Sequence, residues 1–527
     1  MTDEATTADW DEECDVLVVG SGGGGLTGAY TAAALGLDTL VVEKTRYYGG
    51  TTAYAGACLW LPGNAAQERA GVEDSAELGR TYFRAVVGDS VPAALQDAYV
   101  DNAGPTVAFL ENDPGIRFEH RPFPDYFDAP GRFPLGRGVF PVVYPAAEAG
   151  DELLRAVRPA AWEERLGMRG PEGPFTDGRA LIARLLAALR ATGHGRCRLE
   201  TRLTALVTDP EGAVVGAETS VADGERTRRV RARGGVLLAA GGFEADHRLR
   251  REWQGLPGAD WTMGAPGGNT GDAILAARAI GADTALLAES WWCPSVLFPD
   301  RSANFALGFR GGVFVGRDGR RFANESLPYD RMGRAMLAAG AGDRPDRPVW
   351  WVFDGRWGEE PPGIVVVPPD RKSLAEAGLW HTADTLEALA AATGVDARGL
   401  AATVRAFNGY AADGVDAEFH RGEDPYDAFF ADAAGPNPAL VPIEQGPFHA
   451  VRMVLGDLGT KGGLRTDPEA RVLREDGSVI RGLYAAGNTM ASVAGPYYPG
   501  PGAPIGSAMV FAHLAARHIA DASPKAR

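Results

Sequence analysis

The sequence has few cysteines and no long apolar run. Its four cysteines stand far apart without a CxxC pair, which excludes a disulfide framework and a cysteine-based zinc site. The eight histidines form no HxH or HExxH pattern, so no metal site is assigned. No window of about 18 consecutive apolar residues occurs, so no transmembrane segment is predicted.

Positive charge is also scarce. The chain has 52 Lys and Arg against 69 Asp and Glu, a formal net charge of −17. This balance disfavours nucleic acid and anionic membrane surfaces as partners. The acidic first residues contain no apolar core of the kind that a signal peptide needs. We therefore expect a cytoplasmic protein and leave loose membrane association open.

What the chain has in excess is glycine. Its 527 residues include 70 glycines, nearly twice the usual share of about 7%. Many positions therefore need a positive φ or a close approach of the backbone to another group. The length also exceeds the roughly 250–300 residues at which a single core stops growing, so we expect two domains.

The first glycine cluster lies in a strand, turn, helix and strand pattern over residues 14–43. It contains GxGxxG as Gly20, Gly22 and Gly25, and an acidic residue, Glu43, closes the second strand. In such units the turn and the helix N-terminus bind a pyrophosphate, and the carboxylate binds a ribose. The pattern predicts a dinucleotide site in an α/β fold.

The rest of the chain indicates an interrupted nucleotide-binding domain. Another buried strand is predicted at 235–240, ending in glycines. From 286 to 444 the sequence is richer in Trp, Phe, Pro and Arg, and strand and glycine character then returns. We predict a nucleotide-binding domain in two parts, 1–285 and 445–527, with a second domain inserted at 286–444.

A second cluster of small and hydroxyl residues follows Glu43, at 49–56. It would let the backbone touch a further part of a long cofactor, which a nicotinamide enzyme does not need. Together with the AAGGF strand end and the GLYAAGN segment, this EKxxxxGGTT stretch resembles flavoproteins of the succinate dehydrogenase and fumarate reductase superfamily. The resemblance implies FAD and a Rossmann-like FAD-binding domain with an inserted α+β catalytic domain. The FAD-binding residues it implies are Gly20, Ser21, Gly22, Gly24, Gly25, Glu43, Lys44, Gly50, Thr51, Thr52, Ala240, Gly241, Gly487 and Asn488. Because no histidine lies near 49–52, we expect the FAD to be non-covalent.

Within that superfamily the sequence most resembles the bacterial 3-ketosteroid Δ1-dehydrogenases. The segments that carry the resemblance are 49–62, 124–126, 321–329, 456–463 and the YPGPG loop at 498–502. The resemblance implies that the partners are a 3-ketosteroid, oxidised to its 1,4-diene, and a quinone or other electron acceptor.

The same resemblance implies catalytic roles for four residues. Tyr329 would remove the proton from C2 while a hydride passes from C1 to flavin N5, and Tyr126 would assist Tyr329. The hydroxyl of Tyr498 and the amide of Gly502 would hold the ketone oxygen as it gains enolate charge. Each role has a structural alternative: a packed tyrosine, an ordered surface loop at 121–137 for Tyr126, or a loop that only caps the last helix for Tyr498 and Gly502.

Other functions stay open at this point. A fumarate or urocanate reductase relative would carry NExxxRD, with an arginine as proton donor, where this chain has Tyr329-Asp330. A Δ4-ketosteroid dehydrogenase, a dehydrogenase of another cyclic ketone, and a flavin-binding protein without catalysis are further alternatives. The aromatic residues Trp291, Trp292, Phe298, Phe305, Trp350 and Trp351 either line a steroid cavity or form ordinary core.

Overall fold

The structure is a computed structural model that describes residues 10–167, 173–221, 226–344, 346–431 and 433–523. Its strands are β1 Glu12–Val19, β2 Thr39–Val42, β3 Leu59–Trp60, β4 Phe118–His120, β5 Gly138–Pro141, β6 Gly195–Arg198, β7 Thr201–Thr208, β8 Val214–Val221, β9 Arg226–Leu238, β10 Thr284–Ala285, β11 Ser290–Leu297, β12 Ala303–Leu307, β13 Val313–Val315, β14 Val349–Asp354, β15 Ile364–Val365, β16 Trp380–Ala383, β17 Phe448–Thr460, β18 Gly463–Leu464, β19 Arg471–Leu473 and β20 Val479–Ala485.

Helices cover the faces of the sheets and connect their strands. They are α1 Gly23–Ala34, α2 Ala65–Arg69, α3 Ala76–Val87, α4 Ala93–Leu110, α5 Ala146–Ala156, α6 Ala161–Leu166, α7 Asp177–Ala191, α8 His247–Gln254, α9 Asp272–Ala279, α10 Tyr329–Ala339, α11 Arg371–Glu376, α12 Leu386–Thr393, α13 Ala397–Asp413, α14 Pro425–Phe429 and α15 Ala503–Ala522.

A mainly parallel sheet has β1 near its centre. The order β19-β20-β9-β1-β2-β6 places β1 parallel to both β2 and β9, and its apolar residues are fully buried. A central parallel strand is covered on both faces, which is why residues 14–19 read as one apolar run rather than an alternating one. The predicted Rossmann-like class is confirmed.

The strand predicted at 235–240 is the last part of a longer one. β9 begins at Arg226, ends at Leu238 and pairs with β8 as well as with β1. Buried and exposed residues alternate at 230–233, whereas 235–238 are buried throughout. This change of pattern along a single strand makes it look like two strands in the sequence.

A second, antiparallel sheet has the order β13-β14-β17-β11-β12-β15, with β16 also on β17. Its longest strand, β17, lies beyond residue 444 and pairs with β11, β14 and β16. This sheet therefore extends past the 286–444 range predicted for the inserted domain. The change in composition at 444 marks a loss of aromatic residues and not the edge of the sheet; the division into domains stays a prediction.

Two helices from opposite ends of the chain pack together over the first sheet. A Cβ on Gly28 in α1 would lie 3.2 Å from the Ala512 carbonyl oxygen of α15 and 2.5 Å from the Leu237 side chain. The absence of a side chain at Gly28 therefore lets α1 approach β9 and α15 closely. This contact brings the glycine turn before α1 and the loop before α15 to the same place.

Candidate active site

A cleft of about 640 Å³ lies where the glycine turn, the loop before α15 and the start of α10 meet. Most of the residues singled out in the sequence line it: Gly20, Ser21, Gly22, Gly24, Glu43, Lys44, Gly50, Thr51, Thr52, Ala240, Gly241, Tyr329, Gly487, Asn488, Tyr498 and Gly502. Two of the singled-out residues, Gly25 and Tyr126, lie outside this lining. The structure thus gathers segments that lie far apart in the chain, from Gly20 to Gly502.

In the glycine turn the backbone lines the cleft without side chains in between. Gly20 has φ +101°, and a Cβ there would lie 2.3 Å from the Ala239 carbonyl oxygen. A Cβ on Gly25 would lie 2.1 Å from the carbonyl oxygen of Gly20, so Gly25 supports the turn from behind. The first turn of α1 then faces the cleft with its N–H groups, an arrangement that binds phosphate.

The acidic residue that closes β2 is held in place by the same turn. Oε2 of Glu43 accepts hydrogen bonds from the Ser21 hydroxyl (2.7 Å) and amide (3.2 Å), and Oε1 accepts from Thr45. Ser21 Oγ in turn accepts from the Gly49 amide at 3.0 Å. Glu43 therefore lies at the cleft wall in a fixed orientation, where a ribose hydroxyl can reach it.

Lys44 pairs with a residue that the sequence interpretation missed. Its Nζ is 3.1 Å from Asp272 Oδ2 and donates to Thr270 at 2.6 Å. Burial alone would raise the pKa of Asp272, but the ion pairs with Lys44 and Arg202 bring its pKa below the usual value. Asp272 thus stays charged in the cleft wall and is a further candidate for cofactor contact.

The two threonines of the second loop hold backbone and side chains together. Thr52 Oγ1 accepts from the Gly23 amide at 3.1 Å, and Thr51 Oγ1 accepts from Ala265 and from the side chain of Asn269 at 2.8 Å. Asn269, which was not singled out, also lines the cleft. These bonds join the loop at 49–56 to the glycine turn, as expected of one continuous cofactor site.

Three of the residues given catalytic roles are in direct contact. The hydroxyl of Tyr329 donates to that of Tyr498 at 2.7 Å, and the Gly502 amide donates to the same Tyr498 oxygen at 3.3 Å. Gly502 has φ +83°, and a Cβ there would lie 1.8 Å from the Cys58 carbonyl oxygen. A side chain would therefore displace the amide, which makes Gly502 the residue that this position requires.

Tyr126 lies directly behind this pair and is fully buried. Its ring centroid is 5.6 Å from that of Tyr329 and 5.4 Å from that of Tyr498. Its amide donates to the Pro499 carbonyl at 3.0 Å, so the loop at 121–137 is fixed to the YPGPG loop. At Tyr126 this loop is therefore buried, and the alternative of an ordered surface loop does not hold at this residue.

The tyrosine hydroxyls have few polar neighbours. Within the part of the chain that the structure describes, the Tyr126 hydroxyl has no hydrogen-bond partner of normal geometry. Burial raises the pKa of Tyr329 well above 10, and the neighbouring Tyr498 adds to the rise, whereas Tyr126 acts in the opposite direction. Burial likewise raises the pKa of Tyr126 and of Tyr498. The cluster is neutral at pH 7 unless a bound molecule changes it.

Apolar side chains form the rest of the wall near the tyrosines. Phe305 lines the cleft, and its ring centroid is 4.8 Å from that of Tyr329. Of the two interpretations of the aromatic residues, cavity wall or ordinary core, Phe305 fits the first. Trp291 packs on Tyr498 at 5.0 Å, while Trp292 and Trp351 belong to the core of the second sheet. The sequence interpretation missed Phe123, Ile364, Val366, Phe429 and Phe430, which also line the cleft. They come from separate loops, and no local pattern distinguishes them from core residues.

Comparison with known proteins agrees with this geometry. The FAD binding domain family matches residues 15–505. A 3-oxosteroid 1-dehydrogenase of Rhodococcus opacus is 44% identical, over 97% of this chain and 99% of the relative. A 4-oxocyclohexanecarboxylate 2-dehydrogenase of Sinomonas cyclohexanicum is 37% identical, over 96% of this chain and 92% of the relative. The crystal structure of the 3-ketosteroid Δ1-dehydrogenase of Sterolibacterium denitrificans, in complex with 1,4-androstadiene-3,17-dione, superposes with a TM-score of 0.88 at 35% identity, over 97% of this chain and 100% of that one.

The chain belongs to the family of FAD-binding flavoproteins that includes the 3-oxosteroid 1-dehydrogenases. FAD is its cofactor, and the cleft fits that group: a bare glycine turn for the pyrophosphate, a fixed carboxylate for the ribose, and a second glycine and threonine loop beyond them. No helix in the described residues has the length and apolar character that crossing a bilayer requires.

Proposed function

We propose that this chain is a 3-oxosteroid 1-dehydrogenase that removes hydrogen from C1 and C2 of a 3-ketosteroid. The observation that carries the proposal is the contact among Tyr329, Tyr498 and the Gly502 amide beside the glycine turn. The names of several relatives and the 1,4-androstadiene-3,17-dione bound in the structure of one of them support it.

Each of the four residues has its own role in this reaction. The Tyr498 hydroxyl and the Gly502 amide donate hydrogen bonds to the ketone oxygen, which stabilises the enolate charge that forms there. These hydrogen bonds withdraw electron density from the carbonyl group, which makes the C2 proton more acidic. Tyr329, in its phenolate form, accepts that proton. Tyr126, packed behind it, supplies a hydroxyl that stabilises the phenolate. Bound FAD supplies the acceptor for the hydride that leaves C1.

The charges in the cleft favour a neutral ketone over a dicarboxylate. Among the described residues that line the cleft, the cations are Lys44 and Arg158. Each is already paired, Lys44 with Asp272 at 3.1 Å and Arg158 with Glu164 at 2.8 Å. A fumarate-type substrate needs free cations for its two carboxylates. The fumarate reductase alternative therefore has no binding group here.

A ketone as small as a cyclohexanone is the second candidate, since one relative is named for such a substrate. The apolar rings of Phe123, Phe429 and Phe430 at the cleft favour the larger steroid, because they offer surface to fused rings that a cyclohexane carboxylate does not cover. The quinone acceptor and the cytoplasmic location stay proposals that rest on the sequence.

A substrate panel tests this proposal. We expect the purified protein to reduce an artificial dye with androst-4-ene-3,17-dione and to form the 1,4-diene, identified by its mass and absorbance. 4-Oxocyclohexanecarboxylate is the matched small ketone. Fumarate with a reduced dye is the control for reduction of a double bond, the reverse of dehydrogenation. Turnover of the small ketone alone, or of fumarate alone, would contradict the steroid assignment.

We further expect the FAD to be held without a covalent bond. No histidine lies between Glu43 and Ala57, and burial raises the pKa of Cys58, the cysteine in the cleft wall, so its thiol stays protonated. Acid precipitation should leave a colourless pellet and a yellow supernatant. A yellow pellet that withstands washing would show that the flavin is attached.

A further inference from the structure

A lysine buried behind the tyrosines has no role in the chemistry described so far. Lys461 belongs to the segment 456–463, which the sequence singled out without giving it a function, and follows β17 directly. Its side chain is fully buried. Nζ lies 3.1 Å from Asp330 Oδ1 and donates to the Pro496 carbonyl at 2.9 Å. It also lies 4.4 Å from the centre of the Trp291 ring.

Each of these partners is next to a residue of the proposed catalytic cluster. Asp330 follows Tyr329 in the first turn of α10. Pro496 stands two residues before Tyr498. The third partner, Trp291, packs on the Tyr498 ring at 5.0 Å and donates from Nε1 to the Asn488 side chain at 3.0 Å. One cation therefore touches the helix of Tyr329, the loop of Tyr498 and a residue that joins that loop to the cofactor cleft.

Burial of this ammonium group costs free energy, which its partners must offset. A buried charge is stable only when it is paired and hydrogen-bonded, as Lys461 is here by Asp330, Pro496 and the face of Trp291. Burial lowers its pKa to about 8, with Asp330 and Glu289 opposing the fall and Arg334 adding to it. Arg334 also pairs with Asp330 at 3.2 Å, so the carboxylate keeps one partner if the lysine is removed.

We infer that Lys461 is a positioning residue for the dehydrogenation, which holds the Tyr329 helix and the Tyr498 loop at hydrogen-bonding distance. The inference rests on the roles proposed for those two tyrosines. Lys461 is not among the residues that line the cleft. Its effect is on geometry, because reacting groups displaced by about 1 Å can lose about 10²-fold in rate.

Lys461→Met tests the inference, since methionine keeps the unbranched side chain up to the position of Cε and removes the cation. We expect kcat per bound FAD to fall by about 10- to 100-fold, while KM for the steroid changes by less than about threefold and the FAD content is unchanged. With base and ketone site out of alignment, proton removal limits the rate more strongly. The kinetic isotope effect from deuterium at C2 should therefore rise relative to that from deuterium at C1.

Arg250→Met is the matched control. Arg250 is another buried cation, paired with Asp457 on β17 at 2.6 Å and lying 5.8 Å from the Trp292 ring. Within the described part of the chain it donates to Gln254, Ser290 and Asp457 and not to either tyrosine. We expect it to lower thermal stability and to keep kcat per FAD and the isotope-effect ratio. In Lys461→Met/Asp330→Asn the buried carboxylate, which Arg334 alone would pair in the single variant, is also neutralised, so stability should recover in part while kcat stays low.

The possible results are distinct. A Lys461→Met protein with wild-type kcat per FAD, or with a loss that Arg250→Met reproduces, would overturn the positioning role. If the wild type turns over no 3-ketosteroid, the proposed function itself is wrong. If Tyr329→Phe keeps full activity in the same assay, the tyrosine role is wrong, and the positioning role falls with it.

Discussion

Tyr329→Phe should retain FAD and lose about 10²- to 10⁴-fold in kcat, the range typical of removing a general base. The ring would keep its contacts with Tyr126, Tyr498 and Phe305, so the fold should not change. What disappears is the oxygen for which we proposed the role of accepting the C2 proton. Steady-state turnover per bound FAD, with flavin content from the absorbance near 450 nm, measures the effect.

The pH dependence gives a second measurement on the same variant. Because burial raises the pKa of Tyr329 above 10, its phenolate fraction in the free protein grows about tenfold per pH unit across the neutral range. The wild-type rate should therefore rise with pH, and the variant should lose that rise. Tyr426→Phe is the control: it is another buried tyrosine, with its ring 5.3 Å from Tyr126, and should stay within about threefold of wild type. If Tyr329→Phe keeps more than a tenth of the wild-type kcat, Tyr329 is not the base.

Gly25→Ala should yield a protein that binds FAD about 5- to 150-fold more weakly. The new methyl group would lie 2.1 Å from the Gly20 carbonyl oxygen, so the turn must open. Overpacking of this kind costs about 1–3 kcal/mol, and each 1.4 kcal/mol is tenfold in affinity. The ratio of flavin to protein absorbance after purification, and a titration of the apoprotein with FAD, give the change directly.

The control for this variant is Gly409→Ala. Gly409 is exposed in α13, and a Cβ there meets no atom within 4 Å. It should bind FAD as the wild type does and be slightly more stable, because alanine favours a helix by about 1 kcal/mol over glycine. Equal FAD affinity in the two variants would show that the glycine turn does not hold the cofactor.

The cofactor side of the site was predictable because its signal is local. Gly20, Gly25 and Glu43 belong to one strand, turn, helix and strand unit, and a unit of about 30 residues fixes their relative positions. The tyrosines are different, since nothing in the local sequence marks Tyr329 or Tyr498. Only the resemblance of their segments to a known family singled them out.

What the sequence did not reveal depends on contacts between distant segments. Asn269 and Lys461 act through partners more than 100 residues away, Thr51 for the first and Asp330 for the second. The strand β9 is fully buried only at 235–238, where β20 pairs with 236–238 on one side and β1 on the other, and the sequence of β9 alone cannot show these partners. Packing of this kind is decided by tertiary structure and not by local pattern.

The contact between α1 and α15 makes the assembled site depend on the docking of α15. A Cβ on Gly24 would lie 3.0 Å from the Ala508 carbonyl oxygen, so α15 closes directly on the glycine turn, and the Gly502 amide stands at the N-terminus of that same helix. Docking of α15 therefore brings the Gly502 amide, for which we proposed ketone binding, to the glycine turn. We expect a chain in which this helix has not docked to form the glycine turn without that amide beside it, and therefore not to turn over a 3-ketosteroid.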